Sequence, residues 1–470
     1  MAGQPESPSP SYQRYHIVLI PGFGGFDALG QVEYYAGITD LFQDWKADRP
    51  VVLHYFDNFP TAAVVTRAEQ LRRYLAKRVA RGEILEGDEV TLVGHSTGGL
   101  DIRRLVFDLH NHSLNRSVSV DGGHNNVSLQ TIRQCVRRVV FLSVPHWGTN
   151  IADWVHAHPA WRKVVVANMR AAVASLQVYL IDQIEQWFAG AAAGLTGAEL
   201  LLAVQDALTE ANDHYGDRSP QQTAAAHEAA SELALYVHHM ASDFHVINDL
   251  TSQPPDRESK SPAHFNHDER EQELQLWNDL SIECLSYVTV GSHPFRFDPD
   301  RPAPVWDLAN PYSYPEVQKD DELSDGTDVA YRLCYRACAG GPFRYPPADL
   351  SGTVTQRLNG SPPHGIALWD NDGIVNTASM PWPRGDNVLV AGDHLDIVGH
   401  YKLVEAYPAG GRQYRSYDAL RSAPPFSDTI FSDIWTEIFK FCVGKSVYSK
   451  GIPAADSTAG RPYGRPGDTG

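Results

Sequence analysis

Cysteine is scarce in this chain: 470 residues hold five, Cys135, Cys284, Cys334, Cys338 and Cys442. So sparse and odd a set does not make a disulfide framework. Cys334 and Cys338 could form one bridge or half of a metal site. Structural zinc usually takes a second pair nearby, and there is none, so zinc is not expected. Basic charge is in deficit too, with 39 Lys and Arg against 57 Asp and Glu, a net charge of -18. That sign disfavours a nucleic-acid partner and gives no pull toward anionic lipid. Long apolar runs are missing. The most membrane-like stretch, 187–204, is short, rich in Ala and Gly and interrupted by Glu199, so it reads as a buried or cap helix and no transmembrane segment is expected. The N-terminal MAGQPESPSP has neither the basic n-region nor the apolar h-region of a signal peptide. The chain is therefore expected to be cytoplasmic, or secreted with a leader removed. The sequons at Asn115, Asn126 and Asn359 matter only in the second case. No internal repeat is visible.

What is present is a chain 43% hydrophobic, long enough for one large domain or two ordinary ones. Short β-branched runs predict strands at 16–20, 51–56, 89–95, 136–145, 283–292 and 387–394. Between them, Val64, Ala68, Leu71, Leu75 and Val79 recur at helical spacing, which predicts an amphipathic helix over 61–81. Its Arg72, Arg73, Lys77, Arg78 and Arg81 read as a solvated face rather than a basic binding patch. Further helices are expected from about 98 and over 428–442. Alternation of this kind means a mostly parallel sheet covered on both faces. From 151 to 250 the pattern turns almost wholly helical, too long for a loop, and reads as a cap or lid. Residues 298–360, rich in Pro, Tyr and Gly, read as an irregular insertion. Residues 1–14 and 447–470 read as flexible ends of a domain spanning 15–446.

The chemistry concentrates at Gly94-His95-Ser96-Thr97-Gly98, where a strand runs into a helix. A hydroxyl is a poor nucleophile until a base takes its proton, and it must project so that base and substrate reach it from opposite sides. G-x-S-x-G on a strand-to-helix turn does this. The Thr97 amide at the helix start then points where a tetrahedral oxyanion would form. A second donor should come from the loop after the first strand, PGFGGFD, and the Phe23 amide is the candidate. In such a fold the acid and then the histidine follow the nucleophile. NVLVAGDHLDIVGHY offers His394 and His400, of which His394 follows the strand-like run directly and His400 reads as a helix or surface residue. LWDNDGIVNT offers Asp370 and Asp372. Asp372, followed by Gly373, suits a tight turn that exposes a carboxylate, with Asp370 as the fallback.

Several blocks, taken in order, resemble the bacterial true lipases of the α/β-hydrolase fold, above all the thermoalkalophilic and staphylococcal-type lipases. LIPGFGGFD with YYAGI after it is similar to that family's oxyanion loop. GHSTGG is similar to its nucleophile elbow, and FLSVPHWGTNIADWV to the strand and turn leading into its lid. INDLT and HFN resemble the segment after the lid, and the blocks at 370–377 and 393–399 are nearly complete. The resemblance spans roughly residues 15–445 with long dissimilar insertions. It implies an α/β-hydrolase fold, a helical lid and carboxylic-ester hydrolysis, with Ser96, Asp372 and His394 as the triad and Phe23 and Thr97 as oxyanion donors. The family's His-Gly is Pro21-Gly22 here, and its zinc-bearing insert is absent. Its calcium site would use Asp396, two residues after the histidine. A later carboxylate of that site is replaced near Tyr401, and Asp298 could supply a second one. Cys284 resembles half of a disulfide in some relatives, but its partner position is not cysteine, so a free thiol is expected.

Apolar residues of the lid region, including Met169, Leu176, Leu180, Trp154, Trp161 and Trp187, suggest that it covers something apolar, such as a lipid-like or polymeric ester at an interface. The alternatives are an esterase for short-chain, aryl or polymeric esters, and a hydrolase-fold protein that binds without catalysis.

Overall fold

Runs of β-branched residues set the frame. In the computed structural model, residues 14–25, 28–29, 32–111, 117–120, 125–157, 245–252, 267–292, 329–339, 352–358, 366, 369–402, 418, 420, 422 and 426–445 are described. The strands are β1 (Tyr15–Ile20), β2 (Ala28–Leu29), β3 (Val32–Glu33), β4 (Val51–Tyr55), β5 (Glu89–His95), β6 (Ser117–Val120), β7 (Asn125–Ser128), β8 (Val136–Leu142), β9 (Glu283–Val290), β10 (Gln356–Arg357) and β11 (Asp386–Ala391). Seven of them form one sheet in the order β10-β11-β9-β8-β5-β1-β4. Every pairing in it is parallel. With helices on both faces this is the covered parallel sheet that the strand pattern predicts, consistent with the α/β-hydrolase fold that the resemblance implies.

Period-2 geometry divides the core between the two faces. On one face Val18 and Ile20 of β1, Leu92 of β5 and Val139 and Phe141 of β8 pack with helices α2 (Val64–Ala80), α3 (Thr97–Asn111) and α4 (Leu129–Cys135). On the other, Ile17, Leu19, Val93, Val140 and Leu142 pack with Ile38 of α1 (Ile38–Asp44) and with Ile434, Trp435, Ile438 and Phe439 of the helix Asp428–Cys442. Each strand is thus apolar on both sides, as a sheet buried between helices requires. Helix α2 buries Val64, Ala68, Leu71 and Leu75, as its spacing predicts, while Arg72 and Arg73 pair with Glu69 on the outer face.

The chain leaves β1 for β4 on one side and returns to β5 on the other. That reversal is a topological switch point, and in open parallel sheets the crevice at the carboxyl ends of such strands is where ligands bind. The loop after β1 and the turn after β5 both open there.

Some elements differ from the sequence expectation. β8 stops at Leu142 and not Pro145, because Ser143 turns into the left-handed region with φ 50°. β11 ends at Ala391, which leaves His394 on a loop. The β6–β7 hairpin was not predicted; Val118 and Val127 face each other across the pair, and strands of four residues are too short for a periodic signal. The expected irregular insertion over 298–360 holds a helix, Val329–Ala339, and the edge strand β10. Most of the expected lid, 158–244, lies outside the described residues, as do the ends 1–13 and 446–470. Among the described residues, no helix is long and apolar enough to cross a membrane. All five cysteines are free thiols, Cys284 included.

Candidate active site

Ser96 stands between β5 and α3 with φ 52°, a conformation unusual for any residue but glycine. Its amide donates to Leu142 O at 2.9 Å, and its carbonyl accepts from Gly99 N at 3.0 Å, so the corner is fixed on both sides. Two glycines permit this. A Cβ at Gly98 would lie 2.4 Å from Ile20 O, so only glycine lets the first turn of α3 meet the end of β1. A Cβ at Gly22 would lie 2.5 Å from Ser96 Cβ. The loop after β1 therefore passes directly against the serine.

That loop is held from below. Arg67 of α2, fully buried, donates to Pro21 O at 2.9 Å and Gly22 O at 3.3 Å. The same guanidinium pairs with Asp101 of α3 at 2.9 Å, and Asn58 donates to that carboxylate at 3.0 Å. Burial raises the Asp101 carboxyl to about 6 against the pull of Arg67. One ionic contact thus joins the loop bearing Phe23 to the helix that begins at Thr97. Phe23 is partly buried against the core, and Thr97 is fully buried at the start of α3.

His394 follows β11, and its Nδ1 lies 2.7 Å from Asp372 Oδ2. The carboxylate is fully buried and well supplied with donors. Oδ1 accepts from the amides of Ile374 at 3.0 Å and Val375 at 2.7 Å, a tight turn closed by Gly373 at φ 92°. Oδ2 also faces the Thr289 hydroxyl at 2.7 Å, which in turn lies 2.8 Å from Ser143 Oγ. Thr289 has one proton and a carboxylate can only accept, so that proton goes to Asp372 and Ser143 donates to Thr289. The left-handed turn at Ser143 is what aims its hydroxyl there. A second amide link, His394 N to Asp372 O at 3.0 Å, ties the two loops. The His394 ring also packs on the His95 ring, next to Ser96, with centroids 4.7 Å apart. The structure therefore brings Asp372 and His394 together and sets them beside the serine's corner. The fallback residues do not join them. Asp370 contributes its carbonyl, which accepts from Thr377 N at 2.8 Å. His400 is buried, not a surface residue, and its Nε2 donates to Tyr34 O at 3.0 Å.

Sequence reasoning missed Thr289, Ser143 and Arg67. Thr289 and Ser143 sit near strand ends, where one polar residue in an apolar run does not by itself mark a functional side chain. Asp393, adjacent to the histidine, was also missed. Its amide donates to Asp396 Oδ2 at 2.7 Å, and its Oδ1 accepts from the amides of Leu395 at 2.9 Å and Asp396 at 3.2 Å. Its carboxyl also interacts with Ser422. Burial, with repulsion from neighbouring carboxylates, lifts Asp393 to about 7 and Asp396 well above the ordinary carboxylate range. Two buried carboxylates are hard oxygen donors of the kind calcium takes. Among the described residues, however, no three His, Cys, Asp or Glu side chains converge as a metal set, and Asp298 lies outside them.

No family model matches the chain, and no curated protein does. Among solved structures it is similar to Staphylococcus hyicus lipase, at 16% identity over 94% of this chain and 97% of that one, with a TM-score of 0.42. It is also similar to EstA from Clostridium botulinum, at 15% identity over 83% and 84% of the two chains, TM-score 0.37. Lipase 1 from Pelosinus fermentans matches at 17% identity over 82% and 93%, TM-score 0.36. Superpositions this loose carry no weight on the chemistry of this chain, which has to be argued from the residues.

Proposed function

We propose that the protein is a carboxylic ester hydrolase of lipase type, with Ser96 as nucleophile, His394 as base and Asp372 as the acid that orients it. The observation that carries the reading is the 2.7 Å contact of His394 Nδ1 with a fully buried, hydrogen-bonded Asp372, set beside a serine at φ 52°. In this mechanism Asp372 keeps the proton on Nδ1, so Nε2 is free to accept. Ser96 Oγ attacks the ester carbonyl as Nε2 takes its proton. The amides of Phe23 and Thr97 donate to the oxyanion. The intermediate collapses with transfer of the proton from Nε2 to the leaving alcohol, which leaves an acyl-serine. Water, deprotonated by the same nitrogen, attacks the acyl carbon. The second oxyanion then collapses to release the carboxylic acid and return the proton to Ser96.

The substrate in this reading is a hydrophobic ester, lipid-like or polymeric, with the 151–250 segment as its helical lid. The apolar composition of that segment supports it. A calcium ion at Asp396, with Asp393 beside it, would neutralise the buried carboxylates and brace the His394 loop while taking no part in the reaction. Hydrolysis of p-nitrophenyl esters from two to sixteen carbons tests both parts. Activity should rise toward medium and long chains, and Ser96→Ala and His394→Ala should each lose about a thousandfold or more, with the double variant no worse than either alone. A preference for the shortest chains would favour an esterase over a lipase. Full activity in Ser96→Ala would end the proposal.

A further inference from the structure

His95, the residue before the proposed nucleophile, is fully buried, and both of its ring nitrogens are engaged. Its Nε2 lies 2.8 Å from the carbonyl of His394, which can only accept, so Nε2 carries the proton. Its Nδ1 lies 2.6 Å from the Tyr34 hydroxyl. With one proton on a neutral ring, Nδ1 is the acceptor and Tyr34 donates to it. The Tyr34 oxygen in turn accepts the Gly22 amide at 2.9 Å. Every hydrogen therefore has one place. Gly22 N–H donates to Tyr34, Tyr34 O–H donates to His95, and His95 Nε2–H donates to His394 O. Burial, reinforced by the neighbouring His394, keeps the His95 ring neutral. The segment that carries Tyr34 is bound to the far side of the same loop, through Ala36 N to Val398 O at 2.9 Å and His400 Nε2 to Tyr34 O at 3.0 Å.

We propose that Tyr34 and His95 are positioning residues, a hydrogen-bonded bridge that fixes the oxyanion loop at Gly22 and the His394 loop at its carbonyl in one register around Ser96. The inference rests on the ester-hydrolase reading of that site. Gly22 directly precedes Phe23, so holding its amide sets the direction of the donor that follows. Misplacement of a reacting group by about 1 Å can cost on the order of a hundredfold in rate, and most of that loss falls on the transition state.

Tyr34→Phe removes one oxygen and keeps the ring. It should lower kcat at least tenfold and leave KM within twofold, with the chain still folded by circular dichroism. His95→Gln keeps a donor toward His394 O and should retain more kcat than His95→Leu. Nitrogen-15 NMR of the wild-type histidines at pH 7 should show His95 protonated on Nε2 only. A Tyr34→Phe enzyme with kcat within twofold of wild type would overturn the bridge, as would equal losses in His95→Gln and His95→Leu, or a His95 protonated on Nδ1. If the wild type turned over no ester, the hydrolase reading would fail by itself, and the NMR result would still decide whether the bridge exists.

Discussion

At the scale of single residues, polar groups behind Asp372 carry as much of the account as the triad itself. Thr289 donates to the same oxygen that receives His394, and Ser143 is held in a left-handed conformation to support it. Thr289→Val should lower kcat about tenfold, the order expected for one hydrogen bond to a charged group, while Thr289→Ser keeps most activity. Equal rates in the two variants would show that the hydroxyl does not matter. The corner at Ser96 and the contact of Asp372 with His394 were legible in the sequence, because Ser96 lies in a motif of fixed spacing, Asp372 precedes a glycine and His394 follows a strand-like run. Thr289 was not, because a threonine within a β-branched strand looks like any other strand residue, and only the register of β9 against β8 shows which end it faces. His400 was misread for a related reason. It is hydrogen-bonded to the carbonyl of Tyr34, 366 positions away in sequence, and no local pattern reports that.

At the scale of elements, the helices around the site are joined by buried ions. Arg103 of α3 pairs with Glu273 of the helix His267–Asp279 at 2.7 Å, donates to His146 O at 2.9 Å and lies 4.6 Å over the Trp382 ring. Glu273→Ala would strand a buried guanidinium, and should cost about 3–5 kcal/mol in urea unfolding. A loss under about 1 kcal/mol would mean that water reaches Arg103. Helices α2, α3 and Asp428–Cys442 were legible, α2 from its wide apolar face, whereas the helices His267–Asp279 and Val329–Ala339 were not expected. The β6–β7 hairpin and the two-residue β10 were not, since elements so short carry no period. The proposed calcium would act at this scale, as a brace for the turn after β11. Removal with a chelator should lower the melting temperature and magnesium should not restore it. No shift on chelation would remove calcium from the account.

At the scale of the molecule, the sheet has a functional end and a sealed end. Near the start of β1, His16 is hydrogen-bonded to His54 of β4 at 2.9 Å and lies 3.0 Å from Asp88. Burial lowers both histidines: His16 against the pull of Asp88, and His54, with repulsion from His16 and Arg78 added, to about 4. Asp88 is held below its ordinary value, against the push of burial, by the amides of Leu85 and Arg14 and by His16. Neutral histidines are thus favoured in the fold. Their contribution is full above the ordinary histidine value of 6.5 and is lost as pH falls toward about 4. Melting temperature should drop across that window, and His54→Gln should flatten the drop; an unchanged slope would place the acid sensitivity elsewhere. The parallel architecture was legible in the alternation of strand and helix, whereas most of the expected lid, 158–244, lies outside the described residues. The central claim, that Ser96 accepts the acyl group, is tested most directly by the mass of the intact chain after treatment with a p-nitrophenyl alkylphosphonate. One phosphonyl group per chain, localised to Ser96 and absent from Ser96→Ala, is the predicted result. An unmodified wild-type chain, or a label that persists when Ser96 is replaced, would contradict it.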